Sequence, residues 1–300
     1  MRADRDSSGL PDSIDKTTKT RKVLLIQRPG EKDLKLEKLF DPDGWKISYA
    51  PDNAVALELA TAEVFDLVVT STQTTGAEDV LLLRRLRMVQ PHTRLIILIK
   101  NKMPGDVLNA LRYHAFSFLS VPLPMEDLRT LIQDAMNEPV WDDGIELIQG
   151  TLDYVVLLVR CDRRTLDRLE LFMREGVSLP KVENEEVAFA FREIVMNAMQ
   201  QGKFDSKQFV EVCYLKSKRQ VMCRVKDTGT GFSLQEVLKE AKLKSGEEWA
   251  AIQTWGANES VPRGLGILMA EKFVDELICS EKGNEIFLIK YLPKVENEKL

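Results

Sequence analysis

Histidine is nearly missing from this chain of 300 residues, which holds two, and cysteine is scarce at four. Cys161, Cys213, Cys223 and Cys279 lie far apart and show no CxxC or Cys/His spacing, which argues against a structural zinc or iron–sulfur site. They are expected to be reduced residues of the core or its strands. His92 precedes a strand-like run and His114 ends a helix-like one, so both are expected on the surface in structural roles. Imidazole chemistry therefore has few candidates. No apolar run approaches the roughly 20 residues of a spanning helix, and Met1–Thr20 lacks the apolar stretch of a secretory signal. A basic block is missing too. Lys plus Arg number 42 against 47 Asp plus Glu, for a net charge of -5, and the two signs are interspersed. Nucleic acid and anionic membranes are poor partners for such a surface, and the expected location is the cytoplasm.

What is present suits two ordinary domains: 44% hydrophobic and 30% charged residues over a length that favours a pair of cores. Residues 1–20 are polar and read as a flexible tail. From Arg21 five apolar runs, Val23–Ile26, Ile47–Ala50, Leu67–Thr70, Leu95–Ile99 and Phe116–Leu119, alternate with helical patterns at 33–40, 53–63, 77–88, 105–113 and 125–136. That alternation predicts a doubly wound parallel sheet of the α/β class. The rhythm stops at Glu138–Asp143, where Pro139, Trp141 and an acidic pair mark a linker, taken as 138–149. Residues 150–293 then read as α+β, with helices on one face of a mixed sheet and two short helices within 233–254. Residues 294–300 form a second tail.

Three segments of the second half carry chemistry. In Phe189–Gly202, Glu193 and Asn197 stand four residues apart on one side of a helix. Val187, Phe191, Ile194 and Ala198 form its apolar stripe, with Phe189 and Met196 flanking the polar pair. Lys226-Asp-Thr-Gly-Thr-Gly-Phe232 follows a strand-like run, placing Asp227 at a strand end, with Gly229 and Gly231 free to turn the backbone toward a flat ligand. Pro262-Arg-Gly-Leu-Gly-Ile267 opens a helix whose first amides can face an anion. Each is weak alone, since turns and helix starts also use Asp and Gly. Their order and spacing together are far more specific.

The three motifs resemble the GHKL superfamily, which includes histidine kinases, Hsp90, gyrase B, MutL and the anti-sigma-factor serine kinases. The forms REIVMNAMQQG and GLGILMAEKFVDEL look nearest to the last of these. The resemblance implies a Bergerat-type ATP-binding sandwich. In it Asn197 would hold magnesium, Glu193 would orient or deprotonate an attacking hydroxyl and Asp227 would bond the adenine amino group. Gly229 and Gly231 would close over adenine, and Arg263, Gly264, Leu265 and Gly266 would cradle the phosphates. It also implies a protein substrate and a homodimer. Relatives often carry histidine where this chain has Gln201, which bears on affinity and turnover. The stretch 233–261 would be the ATP lid, with Trp249 and Trp255 either pinning it or meeting a partner.

The first half, through FDLVVTSTQTTG and FSFLSVPLP, resembles the flavodoxin-like receiver domain of response regulators over residues 21–137. Its chemistry differs. Gln27 and Arg28 stand at the metal-binding acidic pair, Ser71 at the phospho-accepting aspartate, Ile99 at the hydroxyl and Val121 at the lysine. An amide and a guanidinium cannot replace carboxylate ligands for a hard cation, so this half is expected to dock or dimerise rather than accept phosphate. Two functions follow from the resemblance: a serine/threonine kinase acting on a small antagonist protein, or a nucleotide-gated scaffold that transfers phosphate slowly or never.

Overall fold

The computed structural model describes residues 20–27, 35–70, 72–101, 103, 105–137, 144–176, 179, 181–252 and 265–292, with backbone alone at 181 and 244–252. The first unit contains β1 (Arg21–Ile26), a 3-10 turn (Leu36–Leu39), β2 (Trp45–Ala50), α1 (Asn53–Ala62), β3 (Leu67–Val69), α2 (Gly76–Val89), β4 (Arg94–Ile99), α3 (Asp106–Arg112), β5 (Ser117–Ser120) and α4 (Met125–Asn137). All its strands pair in parallel in the order β2-β1-β3-β4-β5, the flavodoxin-like arrangement. Central β4, RLIILI, is buried along its whole length, as expected of a strand covered on both faces. Helix starts obey local chemistry. The Asp52 carboxylate accepts from the amides of Ala54 and Val55 at the head of α1, and Thr75 with Glu78 forms a capping box on α2. Of the helix expected at 33–40, Leu36–Leu39 form a 3-10 turn that buries Leu36 and Leu39 beside Phe40, and 33 and 34 lie outside the described residues.

The second unit contains β6 (Ile145–Gly150), β7 (Tyr154–Arg160), α5 (Arg163–Gly176), α6 (Lys181–Gln201), β8 (Phe209–Lys216), β9 (Gln220–Lys226), α7 (Leu234–Ile252), α8 (Leu265–Phe273), β10 (Glu276–Cys279) and β11 (Glu285–Tyr291). Its sheet, β10-β11-β9-β8-β7-β6, is antiparallel throughout, not mixed as expected. Three departures come from pairing and packing that the local sequence pattern does not announce. Strand β6 forms within the stretch read as linker by pairing with β7. The two short helices are one, α7. Its residues Leu238 and Ala241 pack on Leu265 and Leu268 of α8. The remainder of the linker, 138–143, lies outside the described residues.

The units meet along β5, an edge strand of the parallel sheet, which α5 covers. The Phe116 carbonyl accepts from Arg168 Nε at 3.0 Å, and Ser120 donates its amide and its hydroxyl to the Glu175 carboxylate at 2.9 and 2.6 Å. The Arg168 guanidinium lies 4.0 Å from the centre of the Phe116 ring. A buried edge must have its polar groups paired, and these side chains supply the pairing. No helix among the described residues is long and apolar enough to cross a membrane.

Candidate functional site

Helix α6 organises the cleft. Its stripe Val187, Phe191, Ile194 and Ala198 is buried as expected, which turns Glu193 and Asn197 away from the sheet, both half-buried. Phe189, expected to flank this pair, packs edge-on against Phe273 of α8 at 5.4 Å, while Met196 packs on the core. On the other side, Arg192 pairs with Asp167 and Glu170 of α5 at 2.8 and 3.0 Å, so α5 and α6 are tied by charge as well as by packing.

The two ends of the cleft lie along α6. At one end, the Glu193 carboxylate lies against the Gly266 α-carbon, so that a side chain at 266 would collide with it. The first expected catalytic group and the start of α8 therefore meet, and the free amides of that helix start give the corner an affinity for anions. At the other end, Gln201 sits beside Gly229, its Cβ 3.5 Å from where a Gly229 side chain would begin. Eight residues of α-helix separate Glu193 from Gln201, about 12 Å, with Asn197 midway. An elongated ligand lying along the helix could touch all three.

Asp227 follows β9 and is buried, 8% exposed. One carboxylate oxygen accepts from the Gly229 amide at 2.6 Å, which leaves the other to receive a ligand donor. Burial pushes its pKa up, against the pull of that hydrogen bond and of Lys282. Glu193 is raised as well, chiefly by burial, and among the described residues it accepts no hydrogen bond. A carboxylate partly withdrawn from water without donors is costly unless a partner arrives.

The loop holding Asp227 is interlocked with the β10–β11 turn. Gly231 adopts φ +84° and Gly283 φ +81°, and a Cβ on either would strike the backbone of the other segment. Asn284 completes the clamp by donating its side-chain amide to the Asp227 carbonyl at 2.9 Å and accepting the Asp227 amide on its own carbonyl at 3.0 Å. Sequence reading missed Gly283 and Asn284 as supports because Lys-Gly-Asn reads as a plain hairpin turn. The nearby glycine was the available signal. Cys161 is buried nearby, its thiol pushed up to about 11 by burial, and remains protonated. The four cysteines are free, three of them buried, and His92 and His114 are exposed.

Of the phosphate-loop residues, Leu265 and Gly266 begin α8, and the Leu265 side chain packs toward α7. Arg263, Gly264 and Trp255 lie outside the described residues, as does the side chain of Trp249. Among the described residues no cluster of His, Cys, Asp and Glu could hold a metal by itself. Asn197 offers a single amide oxygen, which suits a hard cation that keeps several waters and takes its other ligands from substrate phosphates.

The corresponding corner of the first unit is filled differently. Gln27 follows β1, Ile99 ends β4 inside the core and Val121 follows β5; Arg28 and Ser71 lie outside the described residues. A short way along, Asp79 of α2 is fully buried and accepts from Asn53 at 2.9 Å and Thr74 at 3.0 Å. Burial raises its pKa to about 6, opposed by those bonds and one from Thr70.

Residues 161–290 match the family model described as a histidine kinase-like ATPase domain, and that segment is of this class, which implies ATP binding. No curated protein matches the chain. Solved structures similar to its first part include a response regulator receiver domain protein from Clostridium thermocellum, 24% identical, covering 39% of this chain and 94% of that one, TM-score 0.35. A response regulator from Thermotoga maritima is 18% identical, covering 40% of this chain and 99% of that one, TM-score 0.35. The receiver-like, flavodoxin-type fold of the first unit rests on its strand order, and the antiparallel sheet backed by helices gives the second unit its GHKL form.

Proposed function

We propose that the chain is an ATP-dependent serine/threonine protein kinase of the anti-sigma-factor type, acting on a small antagonist protein. The observation that carries this reading is the Glu193 carboxylate, half-buried, without a donor among the described residues and set against the start of α8. A raised pKa strengthens a carboxylate as a base, and its position beside a helix start suited to anions supports a role next to a reacting phosphoryl group. Magnesium and ATP when bound supply charge neutralisation and the transferable phosphoryl group. Asp227 receives the adenine amino group on its free oxygen. Gly229 and Gly231 let the loop lie flat against the base, and Asn197 contributes a metal ligand. Arg263, Gly264, Leu265 and Gly266 present backbone and charge to the phosphates. Glu193 orients the incoming serine hydroxyl and takes its proton. The receiver-like unit, 21–137, docks a protein partner or pairs two copies in a cytoplasmic homodimer.

Gln201 beside Gly229, and the missing acidic pair of the first unit, favour a second reading: a nucleotide-gated scaffold without phosphotransfer. Calorimetry with magnesium and ATP, followed by phosphate transfer to a serine-bearing partner, separates them. Glu193→Gln should retain nucleotide binding and lose transfer if the kinase reading holds. Partner regulation unchanged in Glu193→Gln supports the scaffold, and no binding by the wild type ends both readings.

A further inference from the structure

Where the two units meet, a cavity of about 130 Å³ opens between them. Leu108 and Leu111 of α3 line one side; Met173 of α5, Val155 of β7, and Val212 and Tyr214 of β8 are among the residues lining the other. Neither unit encloses it alone. The walls are aliphatic apart from a few polar groups, and the one that matters most is Tyr214. This residue is 6% exposed, and its hydroxyl is buried with no hydrogen-bond partner among the described residues. Burial pushes its pKa up, so the hydroxyl stays protonated and keeps a proton to donate. Leaving such a donor unpaired carries the full cost of removing it from water, and buried polar groups are ordinarily paired. Glu175, also at the wall, is already engaged by the amide and hydroxyl of Ser120, so it does not call for a cationic guest.

The size of the void sets the size of a guest. An apolar cavity of about 150 Å³ accepts benzene or xenon, and this one is of that order. We propose that the junction cavity binds a small, uncharged, mainly apolar molecule of about six to ten heavy atoms carrying one hydrogen-bond acceptor for Tyr214. Such a guest touches α3 of one unit and the sheet of the other, and it rests on α5. That helix holds the β5 edge through Arg168 and Glu175 and pairs with Arg192, the neighbour of Glu193. The site is therefore placed to brace the contact between the units. Its existence does not depend on nucleotide binding.

Cyclohexanone, a six-carbon ring with one carbonyl acceptor, is a suitable probe. The full chain, carrying methyl-labelled methionine, is titrated with it and followed by NMR without nucleotide. Met103 and Met173 line the cavity, so their resonances should shift and saturate in the millimolar range while the other methionines stay in place. Tyr214→Phe should weaken binding at least threefold, and Leu108→Phe, which fills the void, should abolish it. If Leu108→Phe does not fold, Val155→Phe closes the cavity from the opposite wall. Shifts that never saturate or spread evenly over all methionines would overturn the site. So would full affinity in a folded, cavity-filled variant. Unchanged affinity in Tyr214→Phe would overturn the role of the acceptor.

Discussion

Two carboxylates, one in each unit, are raised in pKa by desolvation, Asp79 fully buried and Glu193 half-buried, yet their surroundings differ. Asp79 lies among Asn53, Thr74 and Thr70, each of which donates to it. Glu193 receives no hydrogen bond among the described residues and abuts a helix start instead. The first arrangement is self-sufficient and ties α1, α2 and the loop after β3 together. The second is incomplete until something enters the cleft. Desolvation alone does not mark a reactive group, since internal donors can offset part of its cost within the fold.

The largest effect should come from breaking the cleft's backbone clamp. Gly231→Ala forces a side chain into a left-handed turn and onto the Lys282 carbonyl, and should cost about 3 kcal/mol or more, read as a lowered midpoint in urea. The first unit has no equivalent interlock among its described glycines, and an equal loss on substituting exposed Gly44 would break the contrast.

Next in size is the pH response of Asp79. Its folded pKa of about 6 lies above the ordinary 3.8, so the folded state binds the proton more tightly than the unfolded state does. That stabilisation is complete below about 3.8 and is lost as pH rises through about 6. The total is ~3 kcal/mol. Asp79→Asn should flatten this slope in denaturation curves measured from pH 4 to 7, and an unaltered slope would assign the response elsewhere.

Asp227→Asn removes a charged acceptor from the cleft and should weaken ATP binding by about 10- to 100-fold in calorimetry, with little change in stability. Unaltered affinity would separate Asp227 from the ligand and leave it a turn residue. The smallest effect belongs to the seam. Glu175→Gln keeps the shape but weakens the bonds to Ser120, and should cost about 1 kcal/mol in thermal stability. A larger loss would make the seam, rather than the Asp227 site or the Asp79 network, the more sensitive region.

Much of this was readable from local pattern. Runs such as RLIILI betray a doubly covered strand, and Glu193 and Asn197 four apart must share a helix face. The meeting of Glu193 with the start of α8 followed from motif order, since three weak signals had to converge. What stayed hidden is mostly non-local. One strand was missed for a local reason instead: Ile145–Gly150 forms a hairpin with the neighbouring β7 but lies beside the Pro and Trp that read as a linker. Asn284 matters only because the chain returns to Asp227 after more than fifty residues. Arg168 and Glu175 look like ordinary helical charges, and nothing near them in sequence announces the Phe116 carbonyl or the Ser120 amide they satisfy. The Asp79 network was equally hard to see, because Asn53 reaches it from α1 while Thr70 and Thr74 reach it from the loop after β3.

The cover that α5 provides for β5 has a practical consequence. Cutting the chain between the units would strip Phe116 and Ser120 of their partners and leave a raw strand margin, ready to recruit its like from another molecule. The first half expressed alone should therefore cluster and precipitate with rising concentration, and its solubility should return when the second half is supplied in trans. The two halves act as mutual chaperones, each hiding from solvent what the other would expose.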